Sequence, residues 1–374
     1  MGFYDLLASY KNQDIQKLTA SFDQRDVWRA LSRESCDSRD FLTLLSPAAR
    51  PFLEEMAVKA RELSIRNFGR TIQLFTPMYL SNFCTNGCVY CGFGCANFIP
   101  RKQLSLEEVA EEARLIAADG LKHILILTGD APKIATPAYI EASCRELRKH
   151  FSSIAIEIYA MDTETYRRMV AAGVDGLTLY QETYNETLYD TLHPYGPKKD
   201  YHFRLDAPER GCIAGMRMVN VGTLLGLDDW RRDAFFTGLH ADWLQKNYPE
   251  VEISISLPRM RPHAGSYSPA CEVSDADFVQ ILLAQRIFMP RCGISISTRE
   301  RKEFRDNIMG LGVTRMSAGV STAVGGHSDK DSGTGQFDIS DERSVEEMAV
   351  AIKAKGYQPV YQDWRPMDSW EKSA

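Results

Sequence analysis

"TIQLFTPMYLSNFCTNGCVYCGFGC", residues 71–95, runs from an apolar, β-branched stretch directly into a loop that carries four cysteines in its last twelve positions. The first half, Thr71 to Ser81, reads as a strand buried on both faces, because it is apolar almost throughout rather than alternating. The second half spaces Cys84, Cys88 and Cys91 as CxxxCxxC, with Cys95 four residues further on. Barrel enzymes carry their chemistry on loops at the C-terminal ends of strands. Whether strand and helix go on alternating after this loop therefore decides the fold.

They do. Seven further apolar runs follow: "HILILTG", "SIAIEIYA", "GLTLYQ", "MVNVGTLLGL", "VEISISLP", "GISIST" and "GVTRMSAG". Between them, amphipathic segments such as 105–119, 136–150, 162–172, 230–247 and 275–289 read as helices. Eight β/α units predict an α/β fold of the TIM type, a (β/α)8 barrel over residues 71–320. Residues 1–70 read as an N-terminal helical extension, since "KNQDIQKL", "DQRDVWRALS" and "PAARPFLEEMAVKARELSIRNFG" place apolar residues three and four apart. Residues 321–374 read as a loop, a helix near 343–355 and a tail packing on the barrel. The polar, Gly-rich "GGHSDKDSGTGQF" at 325–337 reads as a mobile surface loop.

With 44% hydrophobic and 25% charged residues, the 374-residue chain has the composition of a soluble globular protein. No apolar run approaches the roughly 20 residues that span a bilayer. The N-terminus lacks the basic start and apolar stretch of a secretory signal, so the expected location is the cytoplasm. A net charge of −6 with mixed signs gives no footprint for nucleic acid.

Nine cysteines, an odd number and clustered, favour metal or redox chemistry over a disulfide framework. Cys36, Cys144, Cys212, Cys271 and Cys292 stand singly and read as inert thiols. Three close thiolates can hold three irons of a [4Fe–4S] cube and leave the fourth for a small molecule. If Cys95 took that fourth iron, the loop would be a ferredoxin-like electron carrier. Structural zinc draws paired ligands from separated knuckles, and no later CxxC or His pair exists here.

CxxxCxxC with Tyr90 between the last two ligands, at the end of strand one of a barrel, resembles the radical S-adenosylmethionine superfamily. The resemblance implies a [4Fe–4S] cluster on Cys84, Cys88 and Cys91 whose fourth iron S-adenosylmethionine chelates. By position it also implies cofactor contacts. Thr128, Gly129 and Asp130 of "LTGD" would meet the methionine amino group, although Asp130 is one methylene shorter than the family's Glu. Glu157 and Glu182, at the ends of strands three and four, would meet the ribose and amino group. Arg204 would take the cofactor carboxylate, and Gly222 would let backbone approach the adenine.

Further segments, "PMYLSNFCTNGCVYCGF", "IPRKQLS", "YQETYNETLY", "HPYGPKKDYHFRLDAPERG", "SLPRMRP" and "STRE", resemble the aromatic amino acid lyases of that superfamily, above all the 2-iminoacetate synthases, the tyrosine lyases of thiamin biosynthesis. The likeness runs over nearly the whole chain. It implies cleavage of the Cα–Cβ bond of L-tyrosine to dehydroglycine and p-cresol. Arg299 would then bind the tyrosine carboxylate, Ser317 would add a hydroxyl contact and Tyr79 would orient the amino group. His263, just after "PRMRP", is a candidate partner for the phenol, the alternative being an incidental histidine in a polar loop. A tryptophan lyase would look similar. The tyrosine lyase of [FeFe]-hydrogenase maturation carries a second cysteine-bound cluster near its C-terminus, whereas no cysteine follows Cys292 here. The resemblance also implies two partners. A thiazole synthase would receive the hydrolysis-prone dehydroglycine, and a flavodoxin or ferredoxin would dock near the loop, where Arg101 and Lys102 could attract it.

Overall fold

The computed structural model describes residues 2–329 and 333–364; positions 330–332 of the Gly-rich segment and 365–374 of the expected tail lie outside the described residues. Nine parallel strands form the sheet: β1 Thr71–Ser81, β2 His123–Thr128, β3 Ser153–Glu157, β4 Gly176–Thr178, β5 Met218–Gly222, β6 Glu252–Ser256, β7 Gly293–Ile296, β8 Arg315–Ser317 and β9 Gln358–Val360. Strands β2 to β8 pair in chain order and β1 closes the ring between β8 and β2. This is the (β/α)8 barrel expected from the alternation. The eleven residues of β1 let it serve three neighbours: β9 at Thr71–Gln73, β8 at Gln73–Phe75 and β2 from Thr76 onward. No helix among the described residues is long and apolar enough to cross a membrane.

Helix starts are written in the sequence as reciprocal caps. Ser105, Ser274 and Ser344 each accept the amide N–H three residues on, and the acidic residue there bonds back to the cap's own N–H. Helix Leu53–Phe68 ends at Gly69, whose φ of 66° turns the chain into β1 in a backbone conformation that other residues adopt only with strain.

The ladders stop earlier than the apolar runs. Strand β3 ends at Glu157, β4 at Thr178 and β5 at Gly222, whereas the runs reach Ala160, Gln181 and Leu227. Residues past the ladder ends, such as Ile158, Leu179 and Leu225, remain buried. They keep a core composition because they wall the barrel mouth. Glu182 consequently lies four residues beyond β4.

The N-terminal segment adds two helices that the apolar spacing did not single out, Phe3–Ser9 and Ser38–Leu44. It packs on the outside of the barrel: Phe41 stacks on Phe288 at 4.4 Å, and buried Gln280 donates to the carbonyls of Leu44 and Ser46. It touches the loops after β4 and β5, as where Gln16 donates to Asp229, but none of its residues lines the cavity at the barrel mouth. The C-terminal segment does reach that cavity. Residues 333–340 cross the mouth and are tied down at Asp341, whose carboxylate accepts from Arg305 and Arg343. Arg305 is wholly buried and also donates to the Ser317 carbonyl.

That ion pair fixes both the crossing segment and the end of β8. Removing one partner of a buried pair leaves the other charge uncompensated, typically at a cost of about 3 kcal/mol. Asp341→Asn should lower the stability measured by urea unfolding by about that amount. A control at the half-buried Asp242, Asp242→Asn, which breaks a pair with the exposed Lys246, should change it by less than about 1 kcal/mol.

Candidate active site

The loop between β1 and the helix at Leu106–Ala118 has almost no regular structure, so its peptide groups find partners in side chains. Arg101 donates to four carbonyls, those of Asn82, Phe93, Gly94 and Asn97, at 2.7–3.1 Å. Asn97 donates to the carbonyls of Cys91, Gly92 and Ala264. Buried Asn86 donates to Asp130 Oδ2 at 2.6 Å, and the Asp130 carbonyl accepts from both the amide and the hydroxyl of Thr85 at 2.9 Å. Gly129 permits this docking, since a Cβ there would meet the Phe83 carbonyl oxygen at 2.2 Å. Tyr90, between two of the cysteines, bonds to His193 Nε2 at 2.6 Å, while His193 Nδ1 donates to the Tyr189 carbonyl. Burial keeps that ring neutral, lowering it to about 3.

Cys88 is buried and Cys84 and Cys91 are half-buried. Burial pushes the Cys88 thiol up to about 12, so its proton stays until a metal displaces it. Cys95 differs: it is exposed and donates to the Thr85 carbonyl and the Tyr195 hydroxyl. Among the described residues no three His, Cys, Asp or Glu side chains converge as ligands of a single ion would. Thiolates that each hold a different iron of a cube need not converge in that way. Beside the loop, Thr128 Oγ1 and Asp130 Oδ1 are buried with no partner among the described residues. A hydroxyl and a carboxylate oxygen left free there fit the ammonium end of an amino-acid-like cofactor.

The barrel mouth opens into a cavity enclosing about 1060 Å³ of empty space including its entrance, the scale of a small-molecule site. Tyr79, Cys91, Glu157, Glu182, Arg299 and Ser317 line it together with His263. Thr128, Gly129, Asp130, Arg204 and Gly222 lie off its wall. Gly222 is needed where it stands, because a Cβ would meet the Ser256 carbonyl oxygen at 2.7 Å and the Tyr180 ring at 3.0 Å. Arg204 reaches back to the Tyr180 carbonyl and to Glu182, 3.4 Å away. Glu182 takes a second cation, Lys198, at 2.5 Å. Burial opposes its charge, yet Lys198 and Arg204 outweigh burial and hold the carboxyl below its ordinary value. Its φ of 71° costs on the order of 1–3 kcal/mol in a residue other than glycine, a strain characteristic of functional sites.

Three arginines stand at the ends of β6 and β7, and one carboxylate serves two of them. Arg259 chelates Glu300 and also pairs with Asp275, while Arg261 meets Glu300 at 3.1 Å. Arg299 forms no ion pair with any described residue. Its guanidinium lies 3.4 Å from the centre of the Phe337 ring, and burial lowers its pKa. Ser317 Oγ accepts from the Thr298 amide, leaving its proton free to donate into the cavity. His263 donates from Nδ1 to the Arg261 carbonyl, and its buried Nε2 has no partner.

Several of these groups escaped the sequence reading. Phe337 and Gln336 come from the Gly-rich segment expected to be a mobile surface loop; instead this part of it walls the cavity, and Gln336 Oε1 accepts the Tyr79 hydroxyl at 2.8 Å. Lys198 is one of two lysines in a polar run, indistinguishable in sequence from solvated charge. Arg101 moves the other way: with its guanidinium spent on loop carbonyls it is no free docking charge, and Lys102 pairs with Glu108 at 3.0 Å.

Two outcomes follow from this geometry. Cys95→Ala should leave iron content after anaerobic reconstitution unchanged, whereas Cys91→Ala should reduce it sharply. Burial raises Glu157 to about 7, with Arg299 pulling it down and Glu182 pushing it up. An unfolded glutamate ionises near 4.3. Between those values the unfolded state loses its proton first, so stability falls from about pH 4.3 to about 7 and then levels off. Glu157→Gln should reduce that slope in urea titrations without abolishing it, because Asp233, raised to about 8 by burial, acts with the same sign.

Comparison with known proteins agrees with this arrangement. The Radical SAM superfamily profile matches residues 78–236, and that of the Biotin and Thiamin Synthesis associated domain matches residues 256–358. The chain is 38% identical to 2-iminoacetate synthase of Salmonella typhimurium over 346 residues, 92% of this chain and 91% of that protein. It is 38% identical to 2-iminoacetate synthase of Escherichia coli over 340 residues, 91% and 90% of the two chains. The structure of the FeFe-hydrogenase maturase HydG from Carboxydothermus hydrogenoformans superposes with a TM-score of 0.84 at 29% identity, covering 96% of this chain and 83% of that one. Radical S-adenosylmethionine enzymes use an iron–sulfur cluster and S-adenosylmethionine. Given this identity over almost the full length of both chains, the protein belongs to the 2-iminoacetate synthase family within that superfamily.

Proposed function

We propose that this protein cleaves the Cα–Cβ bond of L-tyrosine, giving 2-iminoacetate and p-cresol, and so supplies a precursor of the thiamin thiazole. One observation carries the reading: Arg299 is a half-buried guanidinium with no carboxylate partner among the described residues, facing a cavity that Cys91 also lines. A cation in such a place is costly unless an anion completes it, and an amino acid carboxylate fits its planar fork through two hydrogen bonds. A [4Fe–4S] cluster on Cys84, Cys88 and Cys91, with S-adenosylmethionine bound, supplies a 5′-deoxyadenosyl radical.

The chain's own residues then hold the substrate. Arg299 and the free Ser317 proton take the carboxylate. Tyr79, whose hydroxyl proton is already donated to Gln336, offers lone pairs to the α-amino group. His263, with Nε2 as an unpartnered acceptor, takes the phenol proton. Clamping both ends matters, because misplacement by about 1 Å can cost on the order of 100-fold in rate. Thr128 and Asp130, together with the Glu182–Lys198–Arg204 cluster, line the approach of the nucleotide cofactor. The imine product hydrolyses in water, which favours direct transfer to a thiazole synthase, and a flavodoxin or ferredoxin would deliver the electron.

Anaerobically reconstituted protein given S-adenosylmethionine, a reductant and tyrosine should form p-cresol and 5′-deoxyadenosine together. Tryptophan should yield no indole acid under the same conditions. Arg299→Ala should raise the tyrosine KM on the order of 100-fold, as expected for losing a buried charge-assisted pair. An unchanged KM would remove Arg299 from the carboxylate site.

A further inference from the structure

Residues 333–340 form a strap over the cavity, held by its own backbone. Gln336 N–H donates to the Thr322 carbonyl, Thr322 Oγ1 donates to the Phe337 carbonyl, Asp338 N–H donates to Pro262 and Ser340 N–H donates to Thr298. The strap touches the cysteine loop directly, because a Cβ on Gly92 would meet the Gln336 carbonyl oxygen at 2.4 Å. At that contact the Gln336 amide bridges two groups 12 residues apart in sequence. Its Oε1 accepts from the Tyr79 hydroxyl at 2.8 Å, and its Nε2 faces Cys91 Sγ at 3.8 Å.

The two ends of that amide are not interchangeable. A cysteine that ligates iron is a thiolate and can only accept a hydrogen bond, so it selects the –NH2 end of the amide. The carbonyl end must then point at Tyr79, which obliges the tyrosine to spend its only proton on Gln336. Its remaining lone pairs are left to face the cavity as acceptors. With the amide reversed, its oxygen would oppose the thiolate, and Tyr79 would turn its proton toward an incoming amino group that also carries hydrogens.

We infer that Gln336 is a positioning residue that links the cluster-ligating Cys91 to the substrate-facing Tyr79, setting the hydrogen-bond polarity of Tyr79 while its own N–H stabilises the reduced cluster. The tyrosine half of this link rests on the tyrosine lyase reading; the cluster half does not. Hydrogen bonds to ligand sulfur are among the determinants of cluster potential. A donor on a thiolate favours the more negative, reduced state, so its loss lowers the potential.

The test compares reconstituted wild-type protein with Gln336→Leu, Gln336→Glu and Tyr79→Phe, each checked for full iron content and titrated by electron paramagnetic resonance without S-adenosylmethionine. Both Gln336 variants should lower the reduced-to-oxidised ratio at a fixed donor potential about tenfold, equivalent to about 59 mV for one electron. Tyr79→Phe should leave the potential in place. For tyrosine turnover, Gln336→Leu and Tyr79→Phe should each raise KM about tenfold with a smaller change in kcat, and the double variant should add little, as for two residues acting through one contact. Gln336→Glu, which still accepts from Tyr79, should keep KM within about threefold of wild type. A fully loaded Gln336→Leu protein with the wild-type potential, or single-variant effects that multiply in the double variant, would overturn the link. Wild-type protein that reduces its cluster yet forms no p-cresol would instead defeat the tyrosine reading, and the potentials of the two Gln336 variants would still decide the cluster half.

Discussion

The loop at residues 82–105 has almost no regular secondary structure, so its peptide groups must find partners elsewhere, and three side chains supply several of them. Arg101 covers four carbonyls, Asn97 three, and Asn86 joins the loop to Asp130 at the end of β2. Buried peptide groups left unpaired would cost as much as lost hydrogen bonds. Satisfying them fixes the loop in one shape. In that shape Cys84, Cys88 and Cys91 are drawn inward, while Cys95 is left at the surface against Tyr195. Which cysteines face inward is thus set by backbone accounting as much as by the cysteines themselves.

The opposite wall of the cavity is governed by charge. Glu300 pairs with both Arg259 and Arg261, Asp275 adds a second carboxylate to Arg259, and Arg299 has no anion among the described residues. The face of the Phe337 ring partly offsets the cost of that half-buried cation. Glu157 lines the same cavity but burial raises it to about 7, so near neutrality it does not fully cancel the arginine. A cavity with a fixed cation on one side and the cysteine loop on the other is suited to a zwitterion held between two anchors. Neither anchor is exposed enough to be a general surface charge.

Much of this was legible in the chain. The alternation of apolar runs and amphipathic segments is a local property, and it yielded the barrel; the CxxxCxxC spacing lies within eight residues and points to the superfamily that the profile match shows. Arg299 and Ser317 follow apolar runs directly, so their place at strand ends could be inferred. Gln336 and Phe337 could not be found this way. Their partners Tyr79 and Arg299 lie on other elements, and their own neighbours are the glycines, serines and aspartates typical of solvent loops. The apolar runs outlast the strands for a related reason, since residues such as Ile158 and Leu224 are buried at the mouth beyond the ends of β3 and β5. Composition reports burial, not pairing. Arg101 and Lys198 show the same limit for charge, because a lysine or arginine beside a loop looks identical whether it meets solvent or four carbonyls.

The most direct measurement is electron paramagnetic resonance of the anaerobically reduced holoprotein as S-adenosylmethionine is added. With three thiolates and one iron open to the nucleotide, the cluster signal should change in proportion to nucleotide bound. A signal that stays unaltered through the titration would mean that the protein itself supplies a fourth ligand, and would contradict the account.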